Sequence, residues 1–144
     1  MSKHVLVPFD GSPAAEEAVI FVTDDFPDAT LTLLYVMEPM ADYSRQRAFP
    51  GYNERDEFAN ERDKGEHLLK SAQNILDADR TVTTEIIAGS PARAIIDYAD
   101  GSDVDHIVIG SHGRTGVSRF LLGSTAETVV RRSAIPVTVI RPDE

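Results

Sequence analysis

The chain has no cysteine among its 144 residues. This absence excludes disulfides, thiolate zinc sites, cysteine nucleophiles and iron–sulfur clusters. Long hydrophobic runs are also missing, because no apolar stretch approaches the roughly 18–20 residues of a membrane-spanning helix. No basic-then-apolar segment opens the given sequence. We therefore expect a soluble, cytoplasmic protein without a membrane partner.

Positive charge is scarce. Fourteen lysines and arginines stand against 24 aspartates and glutamates, which gives a formal net charge of −10. The lysines are Lys3, Lys64 and Lys70, and the remaining cations are arginines. Non-specific binding to nucleic acid needs clustered cations that displace counterions from phosphate groups. We therefore expect no nucleic-acid partner.

The residues that are present suit one globular domain. Hydrophobic residues make up 42% of the chain and charged residues 26%, close to the averages for soluble proteins. A chain of this length buries roughly 68–70% of its unfolded surface on folding. No linker or second composition interrupts it, so we predict a single domain over residues 1–144.

Short apolar runs alternate with helical patterns along the whole chain. The runs cover residues 4–9, 30–37, 81–87, 105–109 and 135–140. Apolar residues recur at helical spacing in four segments, which start at residue 13 and then cover residues 54–77, 92–99 and 124–132. This alternation predicts an α/β fold, an open five-stranded parallel sheet with right-handed crossovers and helices on both faces.

Two connections stand out. Gly-Ser-Pro-Ala occurs at residues 11–14 and again at 89–92, each time between a strand and a helix. Serine suits a helix cap and proline the first helical position, so we interpret the echo as two good helix starts. Residues 38–53 are predicted to form a long loop. Its aromatics Tyr43, Phe49 and Tyr52 form either a lid or a cluster of their own.

A glycine-rich segment follows the fourth predicted strand. Gly110 and Gly113 lie just past this strand, and Gly123, Ser124 and Thr125 open the last helix. Glycines let a ligand approach backbone N–H groups, and a helix start adds unpaired N–H donors that suit phosphate. The alternative is a tight structural loop in which Ser124 only caps the helix.

Two cations and the spacing of the glycines refine this interpretation. Arg114 and Arg119 would offset phosphate charge. The spacing excludes G-x-G-x-x-G, and no G-x-x-x-x-G-K-[ST] motif occurs, so the chain is not a P-loop NTPase.

The pattern Gly110-x₂-Gly113-x₉-Gly123-Ser124 resembles the ATP-binding signature of the universal stress protein family. The opening Pro8-x-Asp10 and the final strand, residues 135–140, are similar to that family's first and last strands. The likeness covers nearly the whole chain, with the weakest match at residues 38–53.

The resemblance implies a Rossmann-like nucleotide-binding fold with strand order 3-2-1-4-5, in which the first and fourth strands are neighbours. Ligands of open α/β sheets bind at such a switch point. Asp10 and Gly110 would therefore face one crevice. The roles it implies are phosphate binding by Gly110, Gly113, Gly123, Ser124 and Thr125, a pocket wall at Pro8, and backbone bonds from Val36 to adenine.

Asp10 would meet the ribose or, through Mg²⁺ or Mn²⁺, the phosphates of ATP. The alternative is an aspartate that only bonds backbone within its turn. Among the four histidines, no two have the helical spacing of a metal site. His112 alone lies in the proposed site, where a backbone role is favoured over a catalytic one.

The predicted function is that of an ATP-binding, homodimeric stress-response regulator or sensor, with the dimer formed through residues 135–140. One alternative is a slow metal-dependent ATPase or nucleotide transferase that uses Asp10, and another is a nucleotide-free dimeric scaffold. The acidic, lysine-poor composition is similar to the surfaces of salt-loving archaeal proteins, although an ordinary acidic surface accounts for it as well.

Overall fold

The computed structural model describes residues 3–38, 54–112 and 121–142. Within these ranges the chain alternates strand and helix throughout. The strands are β1 (His4–Pro8), β2 (Thr30–Met37), β3 (Val82–Ala88), β4 (His106–Gly110) and β5 (Val137–Ile140). The helices are α1 (Pro13–Asp25), α2 (Glu54–Gln73), α3 (Pro91–Gly101) and α4 (Ser124–Arg132). None of the helices described here is long and apolar enough to cross a lipid bilayer.

The five strands form one sheet in the order β3-β2-β1-β4-β5. All four neighbouring pairs are parallel. The predicted fold class and strand order are therefore confirmed. The chain winds one way from β1 through β2 to β3 and the other way from β4 to β5, which creates a switch point between β1 and β4.

Hydrophobic cores lie on both faces of the sheet. In β1, Val5 and Val7 belong to the core that α1 and α2 cover, whereas Leu6 belongs to the core beneath α3 and α4. All three side chains have no exposed surface. Burial on both faces explains why the central strands are almost continuously apolar.

The start of α1 follows the predicted capping pattern. The Ser12 side chain accepts a hydrogen bond of 3.2 Å from the backbone N–H of Ala15, and Pro13 occupies the first turn. Ser90 occupies the equivalent cap position before α3, where its side chain makes no capping bond. The two Gly-Ser-Pro-Ala segments therefore start helices in similar ways but satisfy their N–H groups differently.

Helix α2 ends at Gln73, earlier than the predicted end at residue 77. The backbone N–H groups of Asn74, Ile75 and Leu76 donate to carbonyls three residues back, which is the spacing of a tight turn. Asparagine and aspartate favour such turns over helix interiors. Of the predicted loop, residues 38–53, only Glu38 is among the described residues. Tyr43, Phe49 and Tyr52, the residues of the lid hypothesis, lie outside them.

Two histidines lie at the amino ends of their strands, at the edge of the sheet opposite the switch-point crevice. His4 Nε2 and His106 Nε2 each form a hydrogen bond of 2.7 Å to a threonine hydroxyl, Thr32 and Thr138 respectively. Burial, with a smaller contribution from the charge of Lys3, lowers the pKa of His106. These contacts give both side chains a structural role.

Gly110 allows β4 to lie against the first turn of α1. A Cβ atom built at this position would lie 2.8 Å from the backbone carbon of Ala14 and 2.8 Å from its Cβ. Neither atom belongs to a flexible side-chain end, so the contact is relieved only by moving the helix. The glycine therefore serves the packing of the protein itself, in addition to any ligand.

We predict that Gly110→Ala lowers the free energy of unfolding by about 1–3 kcal/mol, the usual range for overpacking. Gly101→Ala is the matched control, because a Cβ there meets no atom within 4 Å. Denaturant unfolding of both variants measures the difference. Equal stability of the two variants would contradict the proposed close contact.

Candidate functional site

A cavity of about 500 Å³ opens at the carboxyl ends of β1, β2 and β4. We call it the switch-point pocket. Its apolar wall comes mainly from strand ends and from the start of α3, including Pro8, Val36, Pro91, Ile95 and Ile109. Its polar lining contains Asp10, Ser12, Tyr35, Glu38, Glu61, Lys64, Ser111, His112, Ser124 and Thr125. The pocket lies where open α/β sheets bind their ligands.

Three hydrogen bonds join distant segments at the floor of this pocket. The Ser111 N–H donates to the Ile140 carbonyl at 2.7 Å, and the Ser111 carbonyl accepts from the Gly123 N–H at 2.7 Å. The Ser12 hydroxyl donates to the His112 carbonyl at 3.3 Å. The starts of α1 and α4 are thus fixed against the segment that follows β4.

The amino terminus of α4 points into the pocket. Gly123 occupies the cap position, and Ser124 is the first helical residue. The interpretation of Ser124 as the cap of this helix is therefore wrong. The first turn carries N–H groups without helical partners and the positive end of the helix dipole, which together favour an anion. The hydroxyls of Ser124 and Thr125 add two further donors.

Gly123 has a packing reason of its own. A Cβ atom at this position would lie 2.8 Å from the Ser111 carbonyl oxygen and 3.4 Å from the His112 Cα. A side chain would push the start of α4 away from the end of β4. The prediction that this glycine admits a phosphate thus has a competing structural explanation, because the protein backbone alone already requires it.

Asp10 serves its own turn and also lines the pocket. Its Oδ1 accepts a hydrogen bond of 2.9 Å from the Ser12 N–H. This bond closes the turn in which Gly11 adopts a φ of +83°, a conformation that favours glycine. The turn-forming role considered from the sequence is therefore present, and the carboxylate still faces the cavity.

Val36 offers backbone groups at the rim. The Phe9 N–H donates to the Leu34 carbonyl at 2.8 Å, so the backbone groups of Leu34 face β1. Backbone groups two residues apart in a strand face the same side, so those of Val36 also face that side. They lie beyond Pro8, the last residue of β1 that pairs with β2. This arrangement suits hydrogen bonding to the edge of a planar base.

The structure brings together most of the residues that the sequence pointed to. The predicted residues that line the switch-point pocket are Pro8, Asp10, Val36, Gly110, Gly123, Ser124 and Thr125. Gly113 and Arg114 lie outside the described residues. His112 is 8% exposed, and its Nδ1 lies 2.9 Å from the Ser111 hydroxyl. Its backbone carbonyl also holds Ser12, consistent with the favoured backbone role.

Sequence reasoning missed the contribution of α2 to the pocket. The Tyr35 hydroxyl donates to Glu61 Oε2 at 2.7 Å, and Lys64 lies one turn further along the helix. Helix α2 was predicted only from its apolar face. No local pattern marks Glu61 or Lys64, because their position depends on where the helix crosses β2.

The described lining of the pocket is acidic. Asp10, Glu38 and Glu61 carry negative charge, and Lys64 carries the one full positive charge among the lining residues that the structure describes. No group of three or more histidines, aspartates or glutamates with metal-binding geometry occurs within the described ranges. Asp10 alone would supply one ligand, so a Mg²⁺ or Mn²⁺ ion there would need most of its oxygens from the bound ligand and water.

Comparison with known proteins agrees with the fold. The model of the universal stress protein family matches residues 1–141. A universal stress protein of Methanocaldococcus jannaschii is 31% identical over 143 residues, covering 96% of this chain and 82% of the relative. A second universal stress protein of the same organism, whose structure was solved when it was still called a hypothetical protein, superposes on this chain with a TM-score of 0.83. It is 28% identical, and the match covers 100% of this chain and 99% of that one.

Two more distant solved structures share the fold. One is a universal stress protein in complex with cAMP, with a TM-score of 0.63 and 23% identity, covering 99% of this chain and 98% of the other. The other is a family member from Arabidopsis thaliana with AMP bound, with a TM-score of 0.68 and 17% identity, covering 98% and 92%. With the family model matching from residue 1 to residue 141, this chain belongs to the universal stress protein family.

Proposed function

We propose that the protein binds ATP or another adenine nucleotide in the switch-point pocket and acts as a homodimeric regulator or sensor in a stress response. The observation that carries the proposal is the placement of the α4 amino terminus opposite Asp10 and the backbone of Val36 around one cavity. A nucleotide needs these three kinds of contact, for its phosphates, its ribose and its base.

The size and polarity of the cavity support this assignment. Its volume of about 500 Å³ falls within the usual range of small-molecule pockets. Apolar side chains such as Ile95 and Ile109 form one wall, which suits a base. The N–H groups and hydroxyls at Gly123, Ser124 and Thr125 suit phosphate oxygens. Gly113 would complete the phosphate site by resemblance, and Arg114 would offset phosphate charge.

The related structures support the same ligand class. The cAMP complex and the AMP complex both contain an adenine nucleotide, although each protein is less than 25% identical to this chain. The choice of ATP rests on the glycine pattern of residues 110–124, which resembles the signature of the ATP-binding members.

Mg²⁺ or Mn²⁺ fits the proposed site only together with the nucleotide. Asp10 offers one carboxylate, and its Oδ1 already accepts the bond from Ser12. Both ions accept one or two carboxylates plus phosphate oxygens and water, which is the arrangement a bound triphosphate would complete. The ion would offset repulsion between the phosphates and Asp10.

Nucleotide content and a change at the start of α4 test whether the switch-point pocket binds a nucleotide. Purified protein, denatured and analysed by chromatography, should release an adenine nucleotide, or the empty protein should bind ATP in titration. Thr125→Val should weaken ATP binding by about 3–10-fold, because a hydroxyl that faces phosphate is lost. Thr128→Val is the matched control, because Thr128 lies one turn further along α4 and its hydroxyl bonds to the Ser124 carbonyl at 2.9 Å.

Two results would contradict nucleotide binding or the role of α4. A protein that contains no nucleotide and binds none in the presence of Mg²⁺ would contradict the proposal and favour the nucleotide-free scaffold. Equal losses of affinity in Thr125→Val and Thr128→Val would remove α4 from the phosphate site.

A substitution at Asp10 tests whether a divalent metal ion takes part in ATP binding. Asp10→Asn keeps an oxygen that can accept the Ser12 bond but removes the charge, so the turn should remain intact. If a divalent ion links Asp10 to phosphate, chelator should weaken ATP binding in the unmodified protein and have little effect in Asp10→Asn. Binding that is insensitive to chelator in both proteins would exclude the metal. ATP turnover abolished by this substitution would instead favour the slow ATPase.

A substitution in β5 tests whether two copies of the chain pair through this edge strand. The carbonyl of Pro136, just before β5, accepts a bond from Ile107 of β4, and the carbonyl of Ile140 accepts one from Ser111. Alternate residues of a strand face the same side, so the backbone of Val139 faces outward at the edge of the sheet. Proline is tolerated where a strand N–H points away from its neighbour, so Val139→Pro should retain the fold and weaken edge pairing. We expect sedimentation to show a dimer that this substitution dissociates. A concentration-independent monomer before substitution would contradict the proposal.

A further inference from the structure

The middle of α2 lies close against the rim of the switch-point pocket. Glu61 accepts a hydrogen bond of 2.7 Å from the hydroxyl of Tyr35, a residue of β2 that is 5% exposed. One turn later, a Cβ atom built at Gly65 would lie 2.5 Å from the Tyr35 ring. The helix backbone thus lies directly on this ring.

A second contact fixes the next turn of the same helix. A Cβ atom built at Gly11 would lie 2.8 Å from a terminal carbon of Leu68. Gly11 belongs to the turn closed by Asp10, so α2 passes immediately beside the segment that carries the pocket carboxylate. Residues three and four apart in a helix share one face. Glu61, Lys64 and Leu68 therefore lie along the face that meets the pocket.

Lys64 is the positively charged residue that this packing places at the cavity. It lies between the two fixed contacts, at Glu61 and Leu68, and it lines the pocket. It is one of three lysines in a chain with a net charge of −10. Within the described lining it faces a surplus of carboxylates, where a bound phosphate chain would add further negative charge.

We infer that Lys64 is a ligand-contacting specificity residue, which stabilises the phosphate chain of a bound nucleotide from the α2 side, across the pocket from the start of α4. The inference rests on the proposed nucleotide function. Each added phosphate brings more negative charge near the ammonium group. Lys64 therefore favours a triphosphate over a monophosphate.

The test measures AMP, ADP and ATP binding by titration at fixed ionic strength, with the whole chain and its Lys64→Gln variant. We expect Lys64→Gln to weaken ATP binding by about tenfold, ADP binding less, and AMP binding by about twofold or less. Lys64→Arg keeps the charge and should retain most of the preference for ATP.

Lys70→Gln is the matched control. Lys70, like Lys64, is an exposed residue of α2, and its replacement changes the net charge by the same amount. It lines a separate cavity with Arg62 and Glu85. It should leave the ATP-to-AMP affinity ratio unchanged. An equal change of that ratio in Lys64→Gln and Lys70→Gln would overturn the inference, because bulk charge would then explain the preference.

The remaining outcomes separate the inference from the proposed function. If the unmodified protein binds nucleotides and Lys64→Gln changes none of the three affinities, the phosphate contact is overturned while the nucleotide site stands. If Lys64→Gln weakens AMP, ADP and ATP equally, the inference is overturned as well, because Lys64 then shapes the pocket without favouring a triphosphate. If the unmodified protein binds none of the three, both the nucleotide function and the inference fail.

Discussion

The contact between Gly110 and the first turn of α1 is the constraint on which the site depends. A methyl group at this position would lie within 2.8 Å of Ala14, so the end of β4 and the start of α1 approach each other only because the side chain is absent. The approach brings Ser12 within bonding distance of the His112 carbonyl, and the neighbouring Ser111 carbonyl holds Gly123. Two helix starts thereby converge on the switch point between β1 and β4.

The same contacts change how the glycine pattern is understood. Gly110 and Gly123 resemble residues of a nucleotide signature, yet each is already required by close backbone packing within the protein. The two requirements are compatible, because the packing that excludes a side chain also leaves the N–H groups of α4 directed at the cavity. A loss of binding in a glycine variant would therefore be ambiguous. Variants at Thr125 and Lys64 are more informative, because neither position is constrained in this way.

Electrostatics sets a second condition on the site. A chain with a net charge of −10 repels an anionic ligand at a distance, and this repulsion weakens with salt because the screening length falls to about 3 Å at 1 M. Short-range contacts from backbone N–H groups, hydroxyls and Lys64 are affected less. If such contacts dominate, binding persists in concentrated salt.

Much of the fold was predictable because it is encoded locally. The predicted limits of β2 and α4 match those observed, since a continuous apolar run and a helix start after Gly123 mark them. The end of α2 was predicted too late, because hydrophobic spacing continues through Leu76 while the backbone already turns. The role of α2 at the pocket was not predictable. It depends on the contact between Tyr35 and Glu61, which are 26 residues apart in the sequence and meet only in the packed fold.

The most direct test of nucleotide binding at the switch point is a set of amide NMR spectra of the labelled protein during ATP titration. We expect saturable shifts at Val36, at Asp10 and at residues 123–125, with Lys64 also affected. Amides beside the separate cavity, such as those of Gln73 and Glu85, should change little. Saturable shifts confined to that second cavity, or no saturable shifts at all, would contradict nucleotide binding at the switch point.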